Sequence, residues 1–124
     1  ITNWLINNSD SELLLLIRDP LKLSSINIKE PRIELIIGDL RDINLFSSKL
    51  KSVTRVIHTA TAWGDIVRTN EVNIIAVKKL LTYLNPNILQ KFIYFSTASI
   101  LNKDLEMLPE AINYGTEYIQ TKAQ

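Results

Sequence analysis

Four short apolar runs constrain this chain most: Leu13 to Ile17, Ile33 to Ile37, Val53 to His58 and Phe92 to Ser96. Each is of strand length and almost continuously aliphatic. A strand wetted on one face alternates polar and apolar residues, whereas a strand covered on both faces does not. The runs therefore predict buried strands of a parallel sheet. Between them the spacing turns helical. Leu45 to Leu50 reads as a short helix with Asn44 as its N-cap. Val67 to Leu84 reads as a long one, with Val72, Ile75, Val77, Leu80, Leu81 and Leu84 on one apolar face. Asn85-Pro86-Asn87 ends it. Alternating strands and helices predict an α/β fold, a doubly wound parallel sheet with right-handed crossovers.

Composition narrows the function classes. Apolar residues make up 46% of the chain and charged residues 22%, enough for a core and a wetted surface. A net charge of +1 offers no electrostatic basis for binding nucleic acid or an anionic membrane. With no cysteine there is neither a disulfide nor a thiolate metal site, which fits a reducing, cytoplasmic setting. The single His58 cannot build a multi-histidine centre, so no metal is expected. No run approaches the ~20 apolar residues of a membrane span. The chain opens on Ile1, and Ile1 to Asn8 reads as the last turns of an amphipathic helix with Trp4 and Leu5 toward a core. Lys122-Ala-Gln124 stops inside a helix with no C-cap signal. The expectation is a piece cut at both ends.

In open α/β sheets, ligands bind beyond the carboxyl ends of the strands. Those ends here are Arg18-Asp19-Pro20, Gly38 to Asp42, His58 to Ala62 and Ser96 to Ser99, all small or polar as a nucleotide groove requires. The longest stretch without periodicity, residues 97 to 112, is a candidate functional loop. After it comes Tyr118-Ile-Gln-Thr-Lys122, a phenol and an amine one helical turn apart on one face. A nearby ammonium favours the phenolate, so such a pair can move protons nearer neutral pH.

Taken in order, these landmarks resemble the extended short-chain dehydrogenase/reductase superfamily, of the NAD(P)-dependent epimerase/dehydratase type. The string runs Gly38-Asp-Leu-Arg-Asp42, Val56-Ile-His-Thr-Ala60, Val72-Asn-Ile74, Phe95-Ser-Thr-Ala-Ser99 and Tyr118 to Lys122, and the similarity spans almost the whole chain. The resemblance implies a partial NAD(P)-binding, Rossmann-like domain over residues 1 to 124, without the substrate-binding part that follows in the family. It implies that Tyr118 is the general acid/base. Lys122 would lower the tyrosine pKa and bind the nicotinamide ribose, and Thr97 would hydrogen-bond the reacting oxygen, an oxyanion-type role. Asp39 and Leu40 resemble the adenine-contacting pair, and Thr59, Ala60 and Thr61 the segment along pyrophosphate and ribose. Asn73 matches the asparagine of an Asn-Val-x-Gly-Thr helix, here Asn-Ile-Ile-Ala-Val. The implied partners are a small-molecule substrate and, in the intact protein, a second copy of the chain.

Arg18 bears on the cofactor. NAD-preferring members carry an acidic residue at that strand end, whereas an arginine fork suits a 2′-phosphate, so NADP is expected over NAD. The bland alternative is an arginine at a solvated strand end. The family's first strand and Gly-rich turn have no counterpart, since Gly38, Gly64 and Gly115 stand elsewhere. That strand would lie between those at 13–17 and 53–58. A 124-residue piece lacking it is expected to be poorly stable and to bind cofactor weakly.

His58 reads as a satisfied core histidine, Trp63 as either a pocket wall or a loop shield, and Arg41 with Asp42 as a surface ion pair. The functional expectation is an NAD(P)-dependent oxidoreductase or epimerase/dehydratase acting on a carbonyl or alcohol. The context of Tyr118 leans toward carbonyl or thioester reductases. The alternative is a non-catalytic NADP-binding regulator on the same fold.

Overall fold

The four apolar runs become four strands. The structure, a computed structural model, describes residues 1–23, 29–107 and 116–124. Gly115 and part of the loop at 97–112 lie outside the described residues. The chain divides into two units, Ile1–Asp42 and Ile43–Gln124.

In the first unit, β1 (Leu13–Ile17) pairs in parallel with β2 (Ile33–Ile37), with Leu13 opposite Ile33 and Ile17 opposite Ile37. Both strands have the bounds that the apolar runs predict. A helix, α1 (Thr2–Asn8), precedes β1. Its open carbonyl end is closed by Arg32, whose guanidinium donates to the carbonyls of Ile6 (2.8 Å) and Ser9 (2.5 Å). A cation there satisfies orphan acceptors and complements the helix dipole. Arg32 also pairs with Glu30 at 2.7 Å, and that hydrogen bond holds the Glu30 carboxyl below its usual range. The expectation that Trp4 is a core residue fails. It is 64% exposed, and none of the residues in α1 is buried. The helix is tied to Arg32 through backbone carbonyls at its end, and its Leu5 and Ile6 are half-buried.

In the second unit, β3 (Arg55–His58) runs parallel to β4 (Lys91–Tyr94), with His58 opposite Tyr94. β3 starts two residues later than its apolar run because Val53 N–H closes the preceding turn on the Leu50 carbonyl (3.2 Å). Among the described residues the strands form two separate sheets, β1 with β2 and β3 with β4. The short helix α2 (Ser47–Leu50) follows a 3-10 run over Leu40–Phe46. Asn44 is not its cap: its side-chain oxygen accepts from Lys79 (3.2 Å), and Phe46 occupies the N-cap without a side-chain bond.

The predicted long helix is three pieces: α3 (Ile66–Asn70), a π turn over Glu71–Ile75 and α4 (Ala76–Tyr83). Asp65 caps α3, accepting from Arg68 N–H at 2.9 Å. The π turn rotates the apolar face. Val72, Asn73, Ile74, Ala76, Leu80 and Leu84 are buried, while Ile75 and Leu81, placed inward by the helical spacing, are exposed. One extra residue in a turn shifts everything after it by roughly 100° around the axis. The last described element is α5 (Glu117–Ala123), capped by the Thr116 hydroxyl, which accepts from Ile119 N–H at 3.3 Å. It packs on α3, on the π turn and on a 3-10 turn over Ala98–Ile100. No helix among the described residues is long and apolar enough to cross a membrane.

Candidate active site

β3 and β4 turn the same face inward. Val56, His58, Phe92 and Tyr94 alternate onto it, as pleated strands require. His58 is buried, and its ring stacks on Tyr94 (5.6 Å between centroids) and Phe92 (6.2 Å). The burial holds its pKa below 6.5; the nearby Lys122 charge acts in the same direction, and a backbone hydrogen bond at Ala60 opposes them. The expectation of a satisfied histidine is only half right. Nε2 is buried and has no hydrogen-bond partner among the described residues. In the neutral ring that nitrogen is a bare acceptor, a cheaper orphan than a buried N–H.

Tyr94 leads from His58 to α5. The Lys122 ammonium lies 4.3 Å from the Tyr94 ring centroid and donates to the Phe95 carbonyl at 2.9 Å. Lys122 is buried, and loss of water lowers its pKa below 10.5. Burial also raises the Tyr94 phenol above its usual value, with the nearby Tyr118 adding to the effect. The amine that the sequence pairs with Tyr118 is thus held at the end of β4. Among the described residues its hydrogen bond goes to the strand and not to the Tyr118 hydroxyl.

Tyr118, one turn earlier on α5, stacks on Trp63 with ring centroids 3.6 Å apart and planes 18° from parallel. Trp63 itself is 62% exposed. The backbone behind both rings is fixed by one side chain. Asn73, 3% exposed on the π turn, accepts from Ala62 N–H (2.8 Å) and from the Thr61 hydroxyl (3.2 Å). It donates to the Ala62 carbonyl (3.1 Å) and to the Thr121 hydroxyl (3.0 Å). Its amide is fully used, so the side chain given to cofactor binding by sequence stands behind the site as scaffold. Thr121 in turn donates to the Tyr118 carbonyl at 3.0 Å.

Thr97 caps the 3-10 turn, accepting from Ser99 N–H and donating to the Ser99 hydroxyl, both at 3.3 Å. Ser96 donates to the Lys122 carbonyl at 3.4 Å. The loop after β4 is thereby tied to α5. Thr59 and Ala60 follow β3 directly and are exposed, and Thr61 is half-buried.

Within the first unit, the carboxyl end of β2 carries Asp39. Its carboxylate accepts from Arg41 Nε (3.0 Å), Nη2 (3.1 Å) and the Arg41 backbone (2.9 Å). The ion pair expected between Arg41 and Asp42 is therefore made with Asp39, whose carboxylate can close a turn onto the N–H two residues on. The Arg41 bonds, and more weakly the Arg18 charge, hold the Asp39 carboxyl below 3.8. Leu40 is buried at 7% exposure. Asp19 accepts from Leu21 N–H at 3.0 Å.

Neither Tyr94 nor the contact of Trp63 with Tyr118 is singled out by the sequence patterns above. Tyr94 could have been found by carrying the two-residue period of Phe92 onward, which puts it on the His58 face.

No protein-family model matches the chain, and no curated protein is significantly similar to it. Solved structures do match. The UDP-glucuronic acid 4-epimerase of Bacillus cereus, solved in complex with NAD, superposes with a TM-score of 0.72 at 25% identity. The alignment covers 97% of this chain and 43% of that one, so the chain spans less than half the length of the enzyme it matches. The fold is Rossmann-like α/β, and the likeness supports the superfamily that the motifs resemble. The expectation of NADP is overturned, since the neighbour holds NAD.

Proposed function

We propose that this chain forms the cofactor-binding part of an NAD-dependent enzyme of the epimerase/dehydratase type, with Tyr118 as its acid/base. The observation that carries the reading is the likeness over 97% of the chain to an NAD-bound epimerase. The burial of Lys122 one turn from Tyr118 supports it.

Each unit carries strand-end residues of the kind that contact a nucleotide. Thr59 and Ala60 leave the end of β3 exposed, with hydroxyl and backbone groups free of bulky cover. In the first unit, Asp39 and Leu40, the pair that resembles the family's adenine contact, stand at the end of β2, and the Asp39 carboxyl is held below its usual range. Bound NAD would supply the hydride acceptor for a substrate alcohol carbon. The Tyr118 phenolate would take the hydroxyl proton as the C–H bond breaks, leaving a carbonyl. Thr97 would donate to the oxygen where charge develops. Lys122, fixed by the Phe95 carbonyl, would hold a positive charge behind the phenol and bind the nicotinamide ribose. In the reverse direction Tyr118 returns the proton, so an epimerase or a carbonyl reductase can use the same pair.

The test is calorimetric titration of the intact protein with NAD, followed by turnover assays with nucleotide-sugar alcohols and small carbonyl compounds. NAD should bind, and Tyr118→Phe should lower kcat by about 10²–10⁴-fold while leaving NAD affinity unchanged. NAD binding without turnover of any substrate would favour a non-catalytic binding protein. No NAD binding would end the reading.

A further inference from the structure

Trp63 is used by no step of that reaction, yet its contact with Tyr118 is the closest ring pair among the described residues, at 3.6 Å between centroids. An exposed tryptophan in a loop is normally free to rotate. Here both sides of the loop are pinned. Ala62, the residue before it, is held through N–H and carbonyl by the buried Asn73 amide. Asp65, two residues after it, caps α3 and accepts from the Thr69 hydroxyl through its carbonyl (3.1 Å). Only Trp63 and Gly64 lie between these anchors. Gly64 has φ +90, a conformation that L side chains rarely adopt.

The other ring is pinned to the same residue. Asn73 donates to Thr121, and Thr121 donates to the Tyr118 carbonyl. Both members of the stack are therefore referenced to one buried amide. The remaining freedom of the phenol is rotation of its side chain, and a ring lying flat on it removes that freedom.

We infer that Trp63 is a positioning residue: by stacking on Tyr118 it fixes the plane of the phenol and so the direction in which the hydroxyl meets the substrate oxygen. The inference rests on the reading of Tyr118 as the acid/base. It adds a residue 55 positions away from it in sequence. A near-face-on sandwich gains less from ring quadrupoles than an offset pair. The loop anchors, more than the ring attraction, hold it in place. Proton transfer depends steeply on geometry, and small misplacements of a reacting group cost large factors in rate. The contribution shows in kcat and not in substrate binding.

The experiment uses the intact protein with 3-fluorotyrosine at position 118, read by fluorine NMR, beside steady-state kinetics of the unlabelled variants. Trp63→Ala should move the fluorine resonance, because the ring current is lost, and should lower kcat roughly tenfold, equivalent to about 1.4 kcal/mol. KM should stay within about twofold, because the substrate still meets the same pocket. Trp63→Phe restores a flat ring and should recover most of kcat. An unmoved fluorine resonance in Trp63→Ala would show that the rings do not stack and would overturn the inference whatever the kinetics. A moved resonance with unchanged kcat, in a protein that Tyr118→Phe inactivates, would overturn the positioning role alone. If Tyr118→Phe keeps full turnover, the reading of Tyr118 fails and the role of Trp63 falls with it.

Discussion

The Asn73 amide donates to the Thr121 hydroxyl at 3.0 Å, joining two residues 48 positions apart inside the second unit. With its bonds to Thr61 and Ala62, that amide ties the loop after β3 to the helix carrying Tyr118 and Lys122. Asn73→Ala leaves the Ala62 N–H and carbonyl and the Thr121 hydroxyl without their buried partner. Each such group costs about 1–3 kcal/mol when stranded, with relaxation recovering part. The expected loss is about 3 kcal/mol, read by denaturant unfolding of the second unit. Thr121→Val removes one bond of the set and should cost about 1 kcal/mol. A loss below about 1 kcal/mol for Asn73→Ala would mean that the hub is not structural.

Gly64 stands in the left-handed region with open space around it, since a Cβ there would meet no atom within 4 Å. Gly64→Ala therefore isolates the backbone cost. That cost is roughly 1–2 kcal/mol for an L residue, with no steric clash to add. The same loop should lose about 1 kcal/mol for Asp65→Ala, which removes the cap on Arg68 N–H. If Gly64→Ala is neutral, the left-handed backbone at Gly64 is not what the loop adopts in solution.

Much of the fold was legible, and the parts that were not share a cause. The bounds of β1 and β2 followed from aliphatic runs of strand length, but the burial on both faces that those runs predict is not met: β1 is half-buried throughout, and Glu34 and Ile37 of β2 are exposed. Asp39, Thr59 and Thr97 follow β2, β3 and β4 as the order of the apolar runs predicts. The helix face was misread because apolar periodicity carries no sign of a π turn, and one inserted residue exchanged Ile75 for Ile74. The i+4 spacing places Lys122 one turn from Tyr118 on α5, and the structure has it there. Spacing could not say that the Phe95 carbonyl would take the ammonium, since that requires the chain crossing between β4 and α5. Arg41 found Asp39 and not Asp42 for a local reason: the Asp39 carboxylate already folds back onto the Arg41 N–H. Tertiary contacts between side chains far apart in sequence, such as Trp63 with Tyr118, leave no periodic trace at all.

The buried His58 makes the second unit sensitive to acid. Its folded pKa lies below 6.5, first because burial disfavours the charged ring and then because Lys122 is near. The sign follows from linkage. The unfolded chain takes up the proton first as pH falls, so the stabilisation is complete above 6.5 and is lost as pH drops from there toward the folded pKa. One proton gives a slope of at most about 1.4 kcal/mol per pH unit. Unfolding midpoints of the second unit measured between pH 4 and 8, on the order of those bounds, should fall on the acid side. His58→Phe should flatten the part of the slope due to this group. An unchanged slope in that variant would assign the acid sensitivity to the carboxylates instead.

Lys122 and His58 repel one another electrostatically, and this gives a test of the Lys122 placement that needs no turnover. The positive ammonium disfavours a second positive charge on the imidazole and so adds to the lowering of the His58 pKa. Lys122→Met keeps much of the buried stem and deletes the charge. The His58 titration should then move upward while remaining below 6.5, because burial, the larger cause, is retained. As the only histidine in the chain, His58 gives one imidazole signal to follow by NMR. Lys122→Arg keeps a charge but not the compact fit at the Phe95 carbonyl, and should leave the titration near its original position. A His58 curve that is identical in Lys122→Met would place the ammonium away from the His58 face. It would also remove the support that the Lys122 geometry gives to the acid/base reading of Tyr118.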